Sequence, residues 1–300
     1  MSPRRRRSAL RWTRAPLVTF ALALALLVPS LAVAVIAPGS TPVGLARVLG
    51  FAQAVSAGPQ GTSAIRLPRG FRPIAHYTQL VRDYSFAGAR LPSDWSSGTW
   101  NYGLHATQFQ PSQVAMTGSS VALTAVRGRA SQGLPYKSGW IMTQGRFTLT
   151  YGMIDFRARV PPGQGLWPGL WLCNPAGVEI DAGELLMGQP HLVYGSLHDG
   201  RRWDETQADW LRSGASRRYH DYEVVWQPGM VTWAVDGVAY AQYTRADARS
   251  AGDPWPFDGA SGMYLIADLG VGSAGEWAGP PDAATRFPAV MRVRAIRVWR

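Results

Sequence analysis

From about Tyr77 onward the chain alternates apolar and polar residues in short runs separated by Gly, Pro, Asn and Asp. This is the pattern of half-buried antiparallel strands. Val121, Leu123 and Ala125 share one face, as do Phe147, Leu149, Tyr151 and Met153. Tyr222, Val224 and Trp226 form a third stripe, and Val231, Trp233 and Val235 a fourth that runs into Asp236-Gly237, a two-residue hairpin signal. Met291, Val293 and Ala295 predict a closing strand, and Trp226, Trp233 and Trp299, which lie in strand stripes, are expected in the core. No segment sustains a helical period, and neither a glycine-rich nucleotide fingerprint nor a repeat of 20 to 50 residues is visible. The expected fold is all-β, a jelly-roll β-sandwich of two antiparallel sheets.

The first 76 residues read differently. Arg4 to Arg7, Arg11 and Arg14 precede an uncharged stretch from Ala15 to Ala46. Leu17 to Val28 is an apolar run of signal-peptide size, broken by Pro29 and followed by Ala32-Val33-Ala34, a cleavage pattern of small residues. Pro16 to Ile36, at roughly 31 Å as a helix, could equally serve as an uncleaved anchor with the arginines held inside. Residues 1–36 are therefore read as a signal peptide or membrane anchor, 37–76 as a Pro-, Gly-, Ser- and Ala-rich tether with one short helix near Val43 to Val55, and 77–300 as the folded domain. Either fate of the head places that domain outside the cytoplasm, secreted or attached to the membrane through its N-terminal segment.

Composition narrows the function classes. Apolar residues make up 46% of the chain and charged residues 16%, with 13 Trp, 11 Tyr and 9 Phe, which excludes wholesale disorder. The formal charge of +11 resembles a nucleic-acid binder until it is divided: seven arginines and no acid lie in residues 1–54, which leaves +4 for the rest. The remaining arginines are dispersed, as Arg292 and Arg294 are between apolar residues, so no nucleic-acid partner is expected. Cys173 stands alone and the five histidines are scattered, so neither an intrachain disulfide nor a structural zinc site is predicted.

The chemistry is concentrated in Leu166 to Gly200, where Val178-Glu179-Ile180-Asp181-Ala182-Gly183-Glu184 puts three acids within six residues. In a regular strand Glu179 and Asp181 face one way and Glu184 the other. One extra residue repairs that parity, and a β-bulge at Ala182-Gly183 would bring all three carboxyl groups to one face. The plain alternative is an exposed strand whose acids face water. The apolar neighbours argue against a solvated charge run, and like charges crowded on one face cost stability without a compensating role.

With these residues in view, the sequence resembles glycoside hydrolase family 16, the laminarinase and β-glucanase family of concanavalin-like jelly rolls. The likeness covers about residues 80 to 300. It begins with Phe86 to Trp95 and continues through Ser138-Gly139-Trp140-Ile141, Gly152 to Pro161, Trp167-Pro168-Gly169-Leu170-Trp171 and the bulged Glu179 to Glu184. It closes with His220 to Gly237, Leu265 to Gly272, Trp277 to Pro281 and Phe287 to Met291. Two positions depart from the family pattern: Ala182 stands where a larger aliphatic residue is usual, and Asp268 where many members have Asn.

The resemblance implies a retaining endo-acting glycosidase in which Glu179 is the nucleophile, Glu184 the acid/base and Asp181 the residue that keeps the pair in different protonation states. It implies a polysaccharide substrate, held by Trp167 and His198, with Trp171, Arg157, Trp140 and Trp277 as further binding candidates. No cofactor is expected. No metal is assigned either, because no dense Asp/Glu/Asn loop suited to calcium is evident. A monomer is expected. The expected activity is hydrolysis of β-1,3- or β-1,3-1,4-glucan. The alternatives are a transglycosylase or envelope exopolysaccharide-trimming hydrolase built on the same carboxylates, and a noncatalytic carbohydrate-binding jelly roll.

Overall fold

A computed structural model describes residues 77–100, 106–130, 133–201, 203–259 and 261–300. The expected leader, tether and short helix near Val43 to Val55 lie outside the described residues. Within them, no helix is long and apolar enough to cross a membrane.

Two sheets make the domain. The smaller has six strands: β6 (Trp140–Met142), β8 (Leu166–Cys173), β9 (Glu179–Glu184), β10 (Leu192–His198), β11 (Asp204–Trp210) and β15 (Tyr264–Val271), in the order β11-β10-β9-β8-β15-β6. The larger has ten: β1 (Leu80–Ser85), β2 (Thr107–Phe109), β3 (Val114–Met116), β4 (Val121–Arg127), β5 (Tyr136–Ser138), β7 (Gly152–Arg159), β12 (His220–Gln227), β13 (Met230–Val235), β14 (Val238–Thr244) and β16 (Ala289–Trp299). Its main path is β14-β13-β12-β7-β16-β4-β5-β2, with β1 on β16 and β3 on β4. The all-β jelly roll is as the alternation predicts. Pairing is antiparallel throughout the two sheets except between β2 and β5, which run parallel.

Alternation decides what lies between the sheets. Leu123, Phe156, Tyr222, Trp226 and Trp233 from the larger sheet meet Leu170, Leu172, Ile180, Leu197, Leu265 and Leu269 from the smaller in one continuous core. Trp226 and Trp233 are fully buried, and removing either ring would cost about 3–5 kcal/mol. The opposite face of the smaller sheet carries a separate cluster of Trp140, Met142, Trp171, Cys173, Tyr264 and Ile266, joined by Phe109. That sheet is therefore apolar on both sides at its β6-β15-β8 end, and it exposes its polar groups where β8, β9 and β10 adjoin.

Three local expectations change. The Phe147 to Met153 stripe is not one strand: Tyr151 has a left-handed φ of 61° and β7 begins at Gly152, after which Ile154, Phe156 and Ala158 face the core. Trp299 is only half-buried because the β16 register shifts between Val293 and Ala295, so Ile296 and Val298 take the core positions. One short helix, α1 (Arg245–Ala251), follows β14. Thr244 and Asp247 form a reciprocal capping box at its start, and Gly252 closes it in the left-handed conformation. The hairpin at Asp236-Gly237 is as expected, with φ of 51° and 79° joining β13 to β14.

Candidate active site

The bulge required by parity is present in β9. Trp171 pairs with Asp181 and Leu170 with Gly183, which leaves Ala182 as the extra residue opposite β8. The ladder to β10 shows the same step, with Glu184 opposite Tyr194 and Ile180 opposite Leu197. Ile180 and Ala182 point into the core, while Glu179, Asp181 and Glu184 share the face that carries His198 and Trp167. Two close approaches from the larger sheet hold the bulge. A side chain at Gly183 would come within 3.1 Å of the Tyr222 ring, and one at Gly195, on the next strand, would collide with the indole of Trp233. That indole donates its Nε1 hydrogen to the Asp181 carbonyl oxygen at 2.7 Å, tying the bulge to the opposite sheet.

The three carboxyl groups have unlike surroundings. Glu184 is buried; its Oε2 accepts from the Ser196 hydroxyl at 2.7 Å and its Oε1 from the Trp167 indole at 3.2 Å. Burial, and next the Asp181 charge, push the Glu184 carboxyl up to about 8. Glu179 keeps a quarter of its side chain accessible. Burial and Asp181 raise its pKa, and His198 opposes them. Asp181 is raised by burial and eased by hydrogen bonds with His198 and Glu179. His198 Nε2 lies 3.2 Å from Asp181 Oδ2 and 3.8 Å from Glu179 Oε1, and its Nδ1 lies 2.6 Å from Asp204 Oδ1. Burial alone would lower the imidazole pKa, but the hydrogen bonds with Asp181 and Asp204 outweigh it and hold the ring cationic well above its ordinary range. Positive charge thus sits at the Glu179-Asp181 end only, and neutral donors serve Glu184.

Glu179, Asp181 and His198 also each offer a ligand atom, all within 4.8 Å of one another. Those atoms are engaged with each other in the ion pairs just described. A separate cavity of about 540 Å³, lined by Arg159, Pro161, Ser216 and Arg286 among others, contains no carboxylate.

The aromatic candidates divide. Trp167 bonds Glu184, and the exposed Trp277 packs edge-on against it at 6.1 Å and beside Tyr194 at 4.8 Å. Trp171 and Trp140 lie on the same side of the sheet but are each only 6% exposed, beneath Trp100. Their indoles donate to Asp268 and to the Gly98 carbonyl, both at 2.8 Å. They form the floor of the site's flank. Arg157 is the candidate that fails. It lies on β7 in the larger sheet, between core-facing Phe156 and Ala158, so alternation turns it to the outer surface, where it binds both carboxylate oxygens of Asp221.

Four participants escape the sequence reading: Trp100, Ser196, Tyr194 and Asp204. For Ser196 a signal existed, since it sits two residues before His198 and must share its face. Nothing in the sequence tells that Asp204 pairs with His198, because that register is set by a loop.

Comparison with known proteins agrees with this geometry. The family model described as glycosyl hydrolases family 16 matches residues 101–286. The chain belongs to that family. The family 16 match extends to curated relatives. The glucan endo-1,3-beta-glucosidase A1 of Niallia circulans is 34% identical over 187 residues, 55% of this chain and 26% of that enzyme, so the chain spans about a quarter of that relative. A beta-glucanase of Rhodothermus marinus is 27% identical over 73% of this chain and 83% of its own. Among solved structures, the laminarinase catalytic domain of Thermotoga maritima superposes with a TM-score of 0.68 at 27% identity, covering 74% of this chain and 98% of that one. The residues matched by the family model include the bulged acid strand.

Proposed function

We propose that this family 16 chain is an exported, retaining endo-hydrolase of β-1,3- or mixed β-1,3-1,4-glucan. The carrying observation is the asymmetry of the bulged strand: two glutamates on one face, with a cationic imidazole beside Glu179 and Asp181 and none beside Glu184. Retention needs one ionised and one protonated carboxyl on the same bond. Burial and the Asp181 charge raise the Glu179 pKa and the adjacent His198 cation opposes that rise, while Glu184, which has neutral donors in place of a cation, is pushed up to about 8 and is protonated at neutral pH.

In the first step a Glu179 oxygen bonds to the anomeric carbon as the glycosidic C–O bond breaks, and the Glu184 proton passes to the leaving oxygen. In the second, Glu184 takes a proton from water, whose oxygen bonds to the anomeric carbon and releases Glu179. Asp181 shares the His198 imidazole with Glu179 and so keeps the two acids beside one cation. Trp167 and Trp277 supply indole faces for sugar C–H surfaces. The glucan class is supported by the names of the relatives, and export by the arginines and apolar run that precede the domain.

The test is a product assay of the full chain on laminarin, mixed-linkage β-glucan, agarose, carrageenan and xyloglucan. Short oligosaccharides released from the β-glucans, with the β-anomer formed first by NMR, are expected from the parent. Glu179→Gln should release none. Glu184→Gln should lose about 10²–10⁴ in rate and recover on aryl glycosides whose leaving group needs no proton. Products from another polymer would reassign the substrate, and binding without products would overturn the hydrolase reading.

A further inference from the structure

We propose that Trp210 is a distal sugar-binding platform at the β11 end of the same face, an extension of the site that rests on the glucan reading above. Its placement follows from register. Ser196, which donates to Glu184, pairs with Thr206, and their hydroxyl oxygens are 3.3 Å apart, so Thr206 shares the face of the acids. The period of two then puts Ala208 and Trp210 on that face. The alternate residues turn the other way: Glu205 is buried and takes a hydrogen bond from Gln207.

Trp210 pairs with Leu192, two pairs beyond Tyr194-Ala208, and is therefore a diagonal neighbour of Tyr194 across the ladder. Trp167, Trp277, Tyr194 and Trp210 thus form an aromatic series leading away from Glu184. Two strand spacings across and two residues along place Trp210 about 12 Å from the acid, further than one sugar ring reaches.

The side chain is built as a platform. It is 45% exposed, and among the described residues the only other exposed indole, Trp277, borders the same site. The His191 ring stacks on one face of the indole at 4.9 Å and 12°. His191 is itself fixed by its Nδ1 contact with the Leu211 carbonyl at 2.9 Å. One indole face is therefore backed and held, and the other is open, while Ala208 leaves the strand between it and the acids low. An uncharged pyranose, with an apolar C–H face and outward hydroxyls, is the ligand such a surface fits. The platform predicts that chain length, more than the cleaved linkage, is sensed here.

The experiment measures kcat/KM on a ladder of laminari-oligosaccharides for the parent, Trp210→Phe and Trp210→Ala. The Ala variant should lose roughly tenfold on the longest members and nothing on the shortest cleaved one, with the Phe variant in between. A loss that is equal at every length, or absent at all, overturns the platform. A second readout avoids catalysis: Glu179→Gln and the Glu179→Gln/Trp210→Ala double variant run in gels containing laminarin, where retardation should weaken in the double variant, and equal retardation would count against the inference. If the parent neither cleaves laminarin nor is retarded by it, the glucan reading falls and the platform with it. Turnover by the parent together with unchanged Trp210 variants overturns the platform alone.

Discussion

His198 is held from both ends of its ring, and the two ends do different work. Asp204 fixes Nδ1 at 2.6 Å, so Nε2 is turned toward Asp181 and Glu179. The arrangement keeps a cation next to the two acids that must share negative charge, in a group that titrates as a unit. Removing the Asp204 charge should lower the His198 pKa, because one of the two bonds that outweigh its burial is lost. A neutral ring then ceases to ease Glu179 and Asp181, and their pKa values rise. In Asp204→Asn the acid limb of the kcat/KM profile should therefore move to higher pH. The alkaline limb, set by Glu184 near 8, should move the same way, because the His198 charge also lowers the Glu184 pKa. Loss of a hydrogen bond to a charged group, about 1.5–3 kcal/mol, predicts a roughly 10- to 100-fold fall in kcat/KM at neutral pH. NMR of the imidazole would read the pKa directly, and an unmoved value would show that Asp204 only packs there.

At the scale of the strand, one residue decides the chemistry. Ala182 is the extra residue of the bulge, and side chains alternate along the strand with a period of two. Deleting Ala182 leaves Glu-Ile-Asp-Gly-Glu, in which the acids keep a common face without any bulge. Inserting a second alanine after Ala182 also gives even parity in a regular strand, but it moves Glu184 two residues, about 7 Å, further along the strand from Glu179, beyond the carboxyl spacing that retention needs. The insertion should cost the full general-acid contribution, about 10²–10⁴ in kcat, and lower the melting temperature as well. The deletion should retain measurable turnover on laminarin, and equal inactivity of the two variants would refute the parity account. The bulge was legible in the sequence because three acids at spacing two and three conflict with a regular strand and a glycine stands where the conflict must be resolved. The clamp behind it was not. Trp233 reads from its stripe as a core residue, and it is one, but its bond to the Asp181 carbonyl crosses between sheets whose register the sequence does not specify. The same limit explains Trp299: a second bulge, in β16, shifts the core positions with no acid or glycine conflict to announce it.

Across the whole molecule the core separates two polar surfaces, one on the smaller sheet and one on the larger. Arg157 and Asp221 sit on the outer surface of the larger sheet with Asp155 and Glu223, directly opposite one another across β7 and β12. A motif match alone could not tell this surface from the site, because both are lined by charged residues in alternating strands; only the parity of Phe156 and Ala158 assigns the side. Asp155 offers a way to test the separation. Burial, followed by the charges of Asp221 and Glu223, pushes its carboxyl up to about 7, against a 3.4 Å contact with Arg297 that favours ionisation. The folded chain therefore holds this proton more tightly than the unfolded chain does. The folded state carries no penalty from Asp155 at or below about pH 4, and it loses stability as pH rises toward 7, where the ionised group must stay buried. Asp155→Asn removes that dependence. At pH 8 it should stabilise the fold by about 2 kcal/mol, several degrees in thermal unfolding for a domain of this size, and at pH 4 it should give no gain. The kcat/KM on laminarin should stay within about twofold of the parent, because nothing on this surface reaches the face that carries Glu179 and Glu184. A variant that changed turnover as much as stability would show that the two sheets do not act independently.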